Sequence, residues 1–330
     1  CYSMIPDPLW GYQRDLGWEV LGDDMTPSER WRNYGWEMIP IALGSWSTNT
    51  NWGPGYWASL PQKIRECNIL MENVRVMPEQ KFTEEDVKLI IGEARFLRAL
   101  TYWHLIDMFG GGSLVTEDSP SSFYYPEYAT RAELYKFVDD ELTAITPELK
   151  EPKTNEAYRV DKAAAWMLQA KLYMNSKVYI GTDKYAEALP LINNVIASRY
   201  ALHSNYNQLF LADNDKNGAQ NEIIFAIAFD GLHTQTYGGT TFLTHAPVGG
   251  SMPVEEFGIS GGWAGIRTTA AFVDKFDVNT TDARGQFYTD GQTKEIVNMG
   301  NFNDGYAVQK FRNVDVNGVI GTDKSGTFSD

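Results

Sequence analysis

Apolar residues recur at three- and four-residue steps from about Tyr56 to Ala197, and this periodicity predicts a run of amphipathic helices. The first, Tyr56 to Val76, carries Trp57, Leu60, Ile64, Cys67, Ile69, Leu70 and Val74 as its buried stripe, and Pro78 ends it. Thr83 is placed to cap the second, with Glu84, Glu85 and Asp86 at its electropositive start. Its stripe is Ala94, Leu97, Thr101, Leu105 and Met108; Arg95, Arg98 and His104 fall off that stripe. Gly110, Gly111 and Gly112 supply the backbone freedom that a stop requires. Thr130 and Glu133 form a capping box for a third helix reaching Leu149, with Leu134, Phe137, Val138, Leu142 and Ile145 inward. Arg159 to Ala165 opens a fourth, continued by Leu168, Leu172 and Val178. A fifth spans Tyr185 to Ala197 after the short connection Gly181-Thr182-Asp183.

The short connection and the small residues of the last two helices predict helical hairpins stacked side by side, in the manner of tetratricopeptide units, although that consensus is not kept. Outside this block the pattern changes. Gly44 to Gly53 sets small polar residues between Trp46 and Trp52 and has no apolar period, so it reads as a loop. Glu222 to Ile227 reads as a buried strand, and from Gly231 the chain turns to Gly, Thr, Asn and aromatic residues. Trp263 stands among glycines in Gly261-Gly262-Trp263-Ala264-Gly265, which suits either a prominent indole or the anchor of a loop. Trp46 and Trp52 likewise pin their loop or present flat faces to a ligand.

The composition narrows the chemistry. A chain of 330 residues, 43% hydrophobic and 13% aromatic, folds around a sizeable core. The net charge of −15 argues against nucleic acid and against an anionic membrane surface as partners. Two cysteines, Cys1 and Cys67, form neither a disulfide framework nor a metal pair, and Cys67 reads as a small buried residue. Asp213 to Gly218 begins like a calcium loop, but Ile224 stands where a bidentate glutamate is needed, so a polar turn is the reading and no metal or cofactor is assigned. No nucleophile elbow, zinc motif or phosphate loop is present, and His104, His203, His233 and His245 are scattered. A glycoside hydrolase needs two facing carboxylates; Asp23 and Asp24 are candidates on paper, but spacing selects no pair.

The stretch Gly92 to Glu117, GEARFLRALTYWHLIDMFGGGSLVTE, resembles the signature segment of the SusD/RagB family of outer-membrane nutrient-binding lipoproteins. In that family a glycine-acid-alanine-arginine helix runs through an aromatic stripe into FGG-x-x-LVTE. Other segments follow the family's order: Leu21 to Met25, the helix around Ile64 and Asn68, Tyr200 to Leu202, Tyr206 to Phe210, Gly261 to Gly265, Phe272 to Phe276, Asp282 to Arg284 and Val308 to Phe311. The resemblance implies a mainly α SusD-like fold: tetratricopeptide-like hairpin repeats with a loop-rich second part and a few short strands. It implies one domain over 1–330, partial at both ends, with a helical scaffold at 54–200 and a ligand-facing part at 1–53 and 201–330.

The implied function is capture of an oligosaccharide without catalysis and its delivery to a SusC-like TonB-dependent transporter. The location would be the extracellular face of the outer membrane, with a lipid anchor upstream of Cys1 and Cys1 to Met4 as the tail of a preceding helix. Trp46, Trp52 and Trp263 would stack on sugar rings, and Asp24, Arg30, Asn49 and Asn51 would supply polar contacts. The alternatives are a RagB-like member that captures peptides and a secreted glycosidase.

Overall fold

A computed structural model describes residues 25–27, 45, 47, 52–76, 82–120, 122–276, 282–298 and 300–330. Two compact units emerge from the described residues: a helical unit of 57–202 and 221–227, and a loop unit that includes 203–220 and 228–330. Helices dominate, and the strands are three antiparallel pairs of two or three residues each.

In the helical unit, α1 (Trp52–Val76) and α2 (Glu84–Phe109) are the long elements. They are followed by α3 (Arg131–Ile145), α4 (Lys162–Met174), α5 (Ser176–Ile180) and α6 (Tyr185–Ile196). Both expected capping boxes form. Thr83 accepts from the Asp86 amide while Asp86 bonds back to Thr83, and Thr130 and Glu133 do the same. Asp161 caps α4 by accepting from the Ala164 amide. α2 packs on α3, and α4 packs on α6. The core is formed by Leu60, Ile64, Met71, Phe96, Leu97, Ile106, Leu134, Val138 and Leu142. Burying each such large side chain contributes roughly 1.5–3 kcal/mol.

Only the first glycine of the triplet acts as the periodic pattern implies. Gly110 ends α2 at φ 82°, and its amide donates to the Ile106 carbonyl. Gly111 answers a different need: a Cβ there would stand 2.3 Å from Tyr128 Oη and 2.8 Å from the Ala129 carbonyl. The missing side chain lets β2 (Gly112–Ser113) pair antiparallel with β3 (Tyr128–Ala129).

Four expectations change. Trp57, placed by its spacing in the buried stripe of α1, is 40% exposed. Trp52 opens α1, so the loop expected to reach Gly53 stops earlier. Glu222 to Ile227 forms no strand: its residues are half-buried, Tyr200 Oη donates to the Ile224 carbonyl, and Phe225 meets Phe96 edge-on at 5.6 Å. Val178 is exposed, because α4 ends at Asn175 and the chain restarts as α5.

The loop unit holds α7 (Gly239–His245), β4 (Ile266–Thr268), α8 (Ala270–Val273), β5 (Phe287–Tyr288) and β6 (Ala307–Val308). β1 (Met25–Pro27) pairs antiparallel with β4, and β5 with β6. Val248, Met252, Phe257, Ile259 and Ala307 form its small core. Carboxylates do much of the work that helix ladders do elsewhere. Asp315 accepts from the Asn317 and Val319 amides at 2.8 and 2.9 Å, Asp304 from Val297 and Asn298, and Asp323 from Ser325, Thr327 and Phe328.

Arg267 of β4 is 3% exposed and has no carboxylate partner among the described residues. Its guanidinium donates to the carbonyls of Phe302 (2.7 and 2.9 Å), Pro247 (2.8 Å) and Ile266 (2.8 Å), and lies over the Phe302 ring. Burial pulls it down to about 9. One cation thus gathers three separate loop carbonyls.

Candidate functional site

The residues that sequence placed off the α2 stripe are the centre of the helical unit. Arg98 is 2% exposed. It donates to Asn68 Oδ1 of α1 (2.7 Å), to Glu141 Oε2 of α3 (2.8 Å) and to Glu117 of the segment after β2. Arg95 grips Glu141 through two hydrogen bonds of 3.1 and 2.6 Å, and Arg75 of α1 reaches Glu117 at 3.1 Å. Asn68 donates to the Val115 carbonyl, and Tyr102 Oη both donates to that carbonyl and accepts from the Val115 amide.

Burial alone would raise Glu117 and Glu141, but their arginine hydrogen bonds and charges outweigh it and hold both carboxyls below the usual range. The arginine helix and the LVTE turn are therefore one clamp joining α1, α2 and α3. Its chemistry is that of a buried ion network with each charge paired, although Arg98 Nε makes no hydrogen bond among the described residues. On the opposite flank of α2, Glu93 receives Asn155 Nδ2 and Arg159 Nε, both at 2.9 Å. His104 is fully buried, and burial pushes the Cys67 thiol up to about 11, so it is a packing residue as expected.

Trp46, Asp24, Arg30, Asn49 and Asn51 lie outside the described residues, as do Cys1 and the Asp23–Asp24 pair. Trp52 is described in its backbone alone. Trp263 is half-buried and well placed in the loop unit. Its amide donates to the His245 carbonyl (2.9 Å), and the next two amides, of Ala264 and Gly265, donate to Val248 (2.9 Å) and Ala246 (2.8 Å). A Cβ on Gly262 would sit 2.1 Å from the Val248 carbonyl, so this close backbone approach needs glycine. Ala264 adopts φ 52°, a left-handed conformation uncommon for alanine.

The indole lies against the His245 ring at 5.0 Å and 31°, with Tyr237 at 6.1 Å and Phe242 at 6.2 Å. His245 Nδ1 donates to the Gly261 carbonyl at 2.8 Å. Burial holds this imidazole below its usual range, so it stays neutral beneath the indole. Tyr237 is 67% exposed and also touches Phe328. Trp263 is thus held on one side by His245 and Phe242, and Tyr237 adds an open aromatic face beside it. Sequence reading missed Tyr237; an aromatic residue in a run of Thr and Gly was the available signal.

The Asp213 turn holds itself together. Asp213 Oδ1 accepts from Asn217 Nδ2 at 3.0 Å, and Oδ2 from the Val316 amide at 3.3 Å. No cluster of three or more metal-ligating side chains occurs among the described residues, and no described helix is long and apolar enough to cross a membrane.

Residues 21–174 match the family model SusD-like_3, described as "Starch-binding associating with outer membrane". Starch-binding protein SusD of Bacteroides thetaiotaomicron is 36% identical over 239 residues, 72% of this chain and 42% of that protein. The chain thus spans about two fifths of the length of that relative. Among solved structures, a laminarin-binding SusD-like protein superposes with a TM-score of 0.76 at 18% identity, over 99% of this chain and 74% of its own. Surface glycan-binding protein A of Bacteroides uniformis gives 0.74 at 19%, over 99% and 70%. Sequence match and shared fold agree: the chain belongs to the SusD-like family.

Proposed function

We propose that this chain is the glycan-capturing part of a surface nutrient-uptake protein, binding an oligosaccharide without cleaving it and passing it to a SusC-like TonB-dependent transporter. The observation that carries this reading is the 36% identity to a starch-binding protein. The identity supports the ligand class and the absence of catalysis. Work at the extracellular face of the outer membrane, held by a lipid anchor, follows from the same reading.

In it, the helices of 54–200 pair as tetratricopeptide-like hairpins and serve as scaffold, while 1–53 and 201–330 face the ligand. Trp263 with Tyr237, and Trp46 and Trp52, offer flat apolar faces to sugar rings; Asp24, Arg30, Asn49 and Asn51 bond hydroxyls. Isothermal titration with malto- and laminari-oligosaccharides tests it. Binding is expected, with affinity falling about tenfold in Trp263→Ala, the equivalent of about 1.4 kcal/mol. Binding of peptides in place of every glycan would redirect the reading to a peptide-capturing member. Glycan hydrolysis abolished by one carboxylate-to-amide change would make the protein a glycosidase instead.

A further inference from the structure

The helical unit contains a cleft of about 740 Å³ whose lining includes Asn68 of the ion clamp. One wall is the α1 surface from Trp57 to Glu72, and the other is the segment between Ser113 and Pro126. The α1 wall alone runs for roughly 22 Å at the helical rise. The volume falls within the range of small-ligand sites, about 300–1,000 Å³.

Its apolar lining mixes aromatic side chains with aliphatic ones and prolines. Trp57 is 40% exposed and held edge-on by Phe109 at 5.0 Å, which fixes the indole while leaving part of it open. Phe123 on the facing wall is 85% exposed. The polar groups are of both kinds. Arg65 and Glu72, two turns apart on α1, are exposed and make no hydrogen bond or ion pair among the described residues. Tyr124 also lines the cleft.

Flat rings with a guanidinium and a carboxylate suit a ligand that has apolar C–H faces and many hydroxyls that both donate and accept. The opposite charges of Arg65 and Glu72 leave no preference for a charged one.

We propose that this cleft is a second binding site, separate from the Trp263 region, for a segment of a neutral oligosaccharide. Trp57 and Phe123 stack on pyranose faces, and Arg65 and Glu72 bond hydroxyls at the rim. The ligand class rests on the glycan-binding reading above; the site itself rests on the cleft.

Isothermal titration of the whole chain with maltoheptaose and laminarihexaose tests it. More than one equivalent is expected at saturation. One binding event is expected to weaken about tenfold or more in Phe123→Ala and Arg65→Ala, which alter exposed side chains and leave the melting temperature unchanged. Trp57→Ala should weaken the same event, and Trp263→Ala should leave it intact. If wild type and the cleft variants bind sugar identically, the cleft is not a sugar site although the glycan-binding reading stands. If no oligosaccharide binds any version, both readings fall. Occupation of the cleft by an amphipathic helical peptide, with no sugar bound there, would also overturn the proposal.

Discussion

The two units solve the same problem, satisfying a polar backbone away from water, in opposite ways. In the helical unit the backbone satisfies itself through helix ladders, and charged side chains are released to build one deep cluster around Arg98. In the loop unit ladders are scarce, and side chains are used on the backbone instead: Asp304, Asp315 and Asp323 on amides, Arg267 on carbonyls. The buried acids of the clamp face arginines, whereas Asp304, Asp315 and Asp323 of the loop unit face peptide groups.

The largest expected effect falls on the ion clamp. Arg98→Met would leave Glu117 and Glu141 without the cation they share, and breaking a buried pair in this way costs roughly 3–5 kcal/mol. Urea unfolding followed by circular dichroism should show it; an unchanged midpoint would mean that the clamp contributes no stability. Next comes Arg267→Met, which strips donors from three loop carbonyls at about 1–3 kcal/mol for each buried group left unpaired. Near-ultraviolet dichroism, which reports the packed aromatics around Phe302 and Trp263, should follow that loss, whereas the helical signal should follow loss of the clamp.

Acid gives an intermediate effect with a definite sign. Glu117 and Glu141 titrate lower in the folded chain than in the unfolded one. Their contribution is fully present above the ordinary glutamate value of about 4.3 and is lost as pH falls through their depressed folded values. A pH series of urea midpoints should show stability falling in that window, and Arg98→Met should flatten the fall. The smallest effect is expected from Thr130→Ala, which removes one end of the α3 capping box at about 1 kcal/mol. It should shift the thermal midpoint slightly and leave oligosaccharide titrations unchanged.

The helices were legible because their signals are local: a 3.6-residue period, a capping threonine, a glycine stop. The clamp was not. Periodicity places Arg98 and Arg95 off the apolar stripe and says no more, because their partners lie far along the chain, at Glu117 and Glu141. Glu222 to Ile227 misled for a related reason. A short apolar run states that it is covered but not by what, and here the cover is Phe96 and Tyr200 rather than a neighbouring strand. Val178 misled because periodicity passes smoothly over a break such as that at Asn175. At the candidate ligand face, the anchoring of Trp263 depends on the Val248 carbonyl and the His245 ring, and no spacing rule connects those positions.

Cys67 has a practical consequence. Its thiol is sealed in α1 beside Asn68, a member of the clamp, and has no disulfide partner among the described residues. In a Cys1→Ser background, a thiol-reactive dye can modify it only when that part of α1 swings open. The labelling rate becomes a stopwatch for breathing of the helical unit, readable with saccharide present or absent.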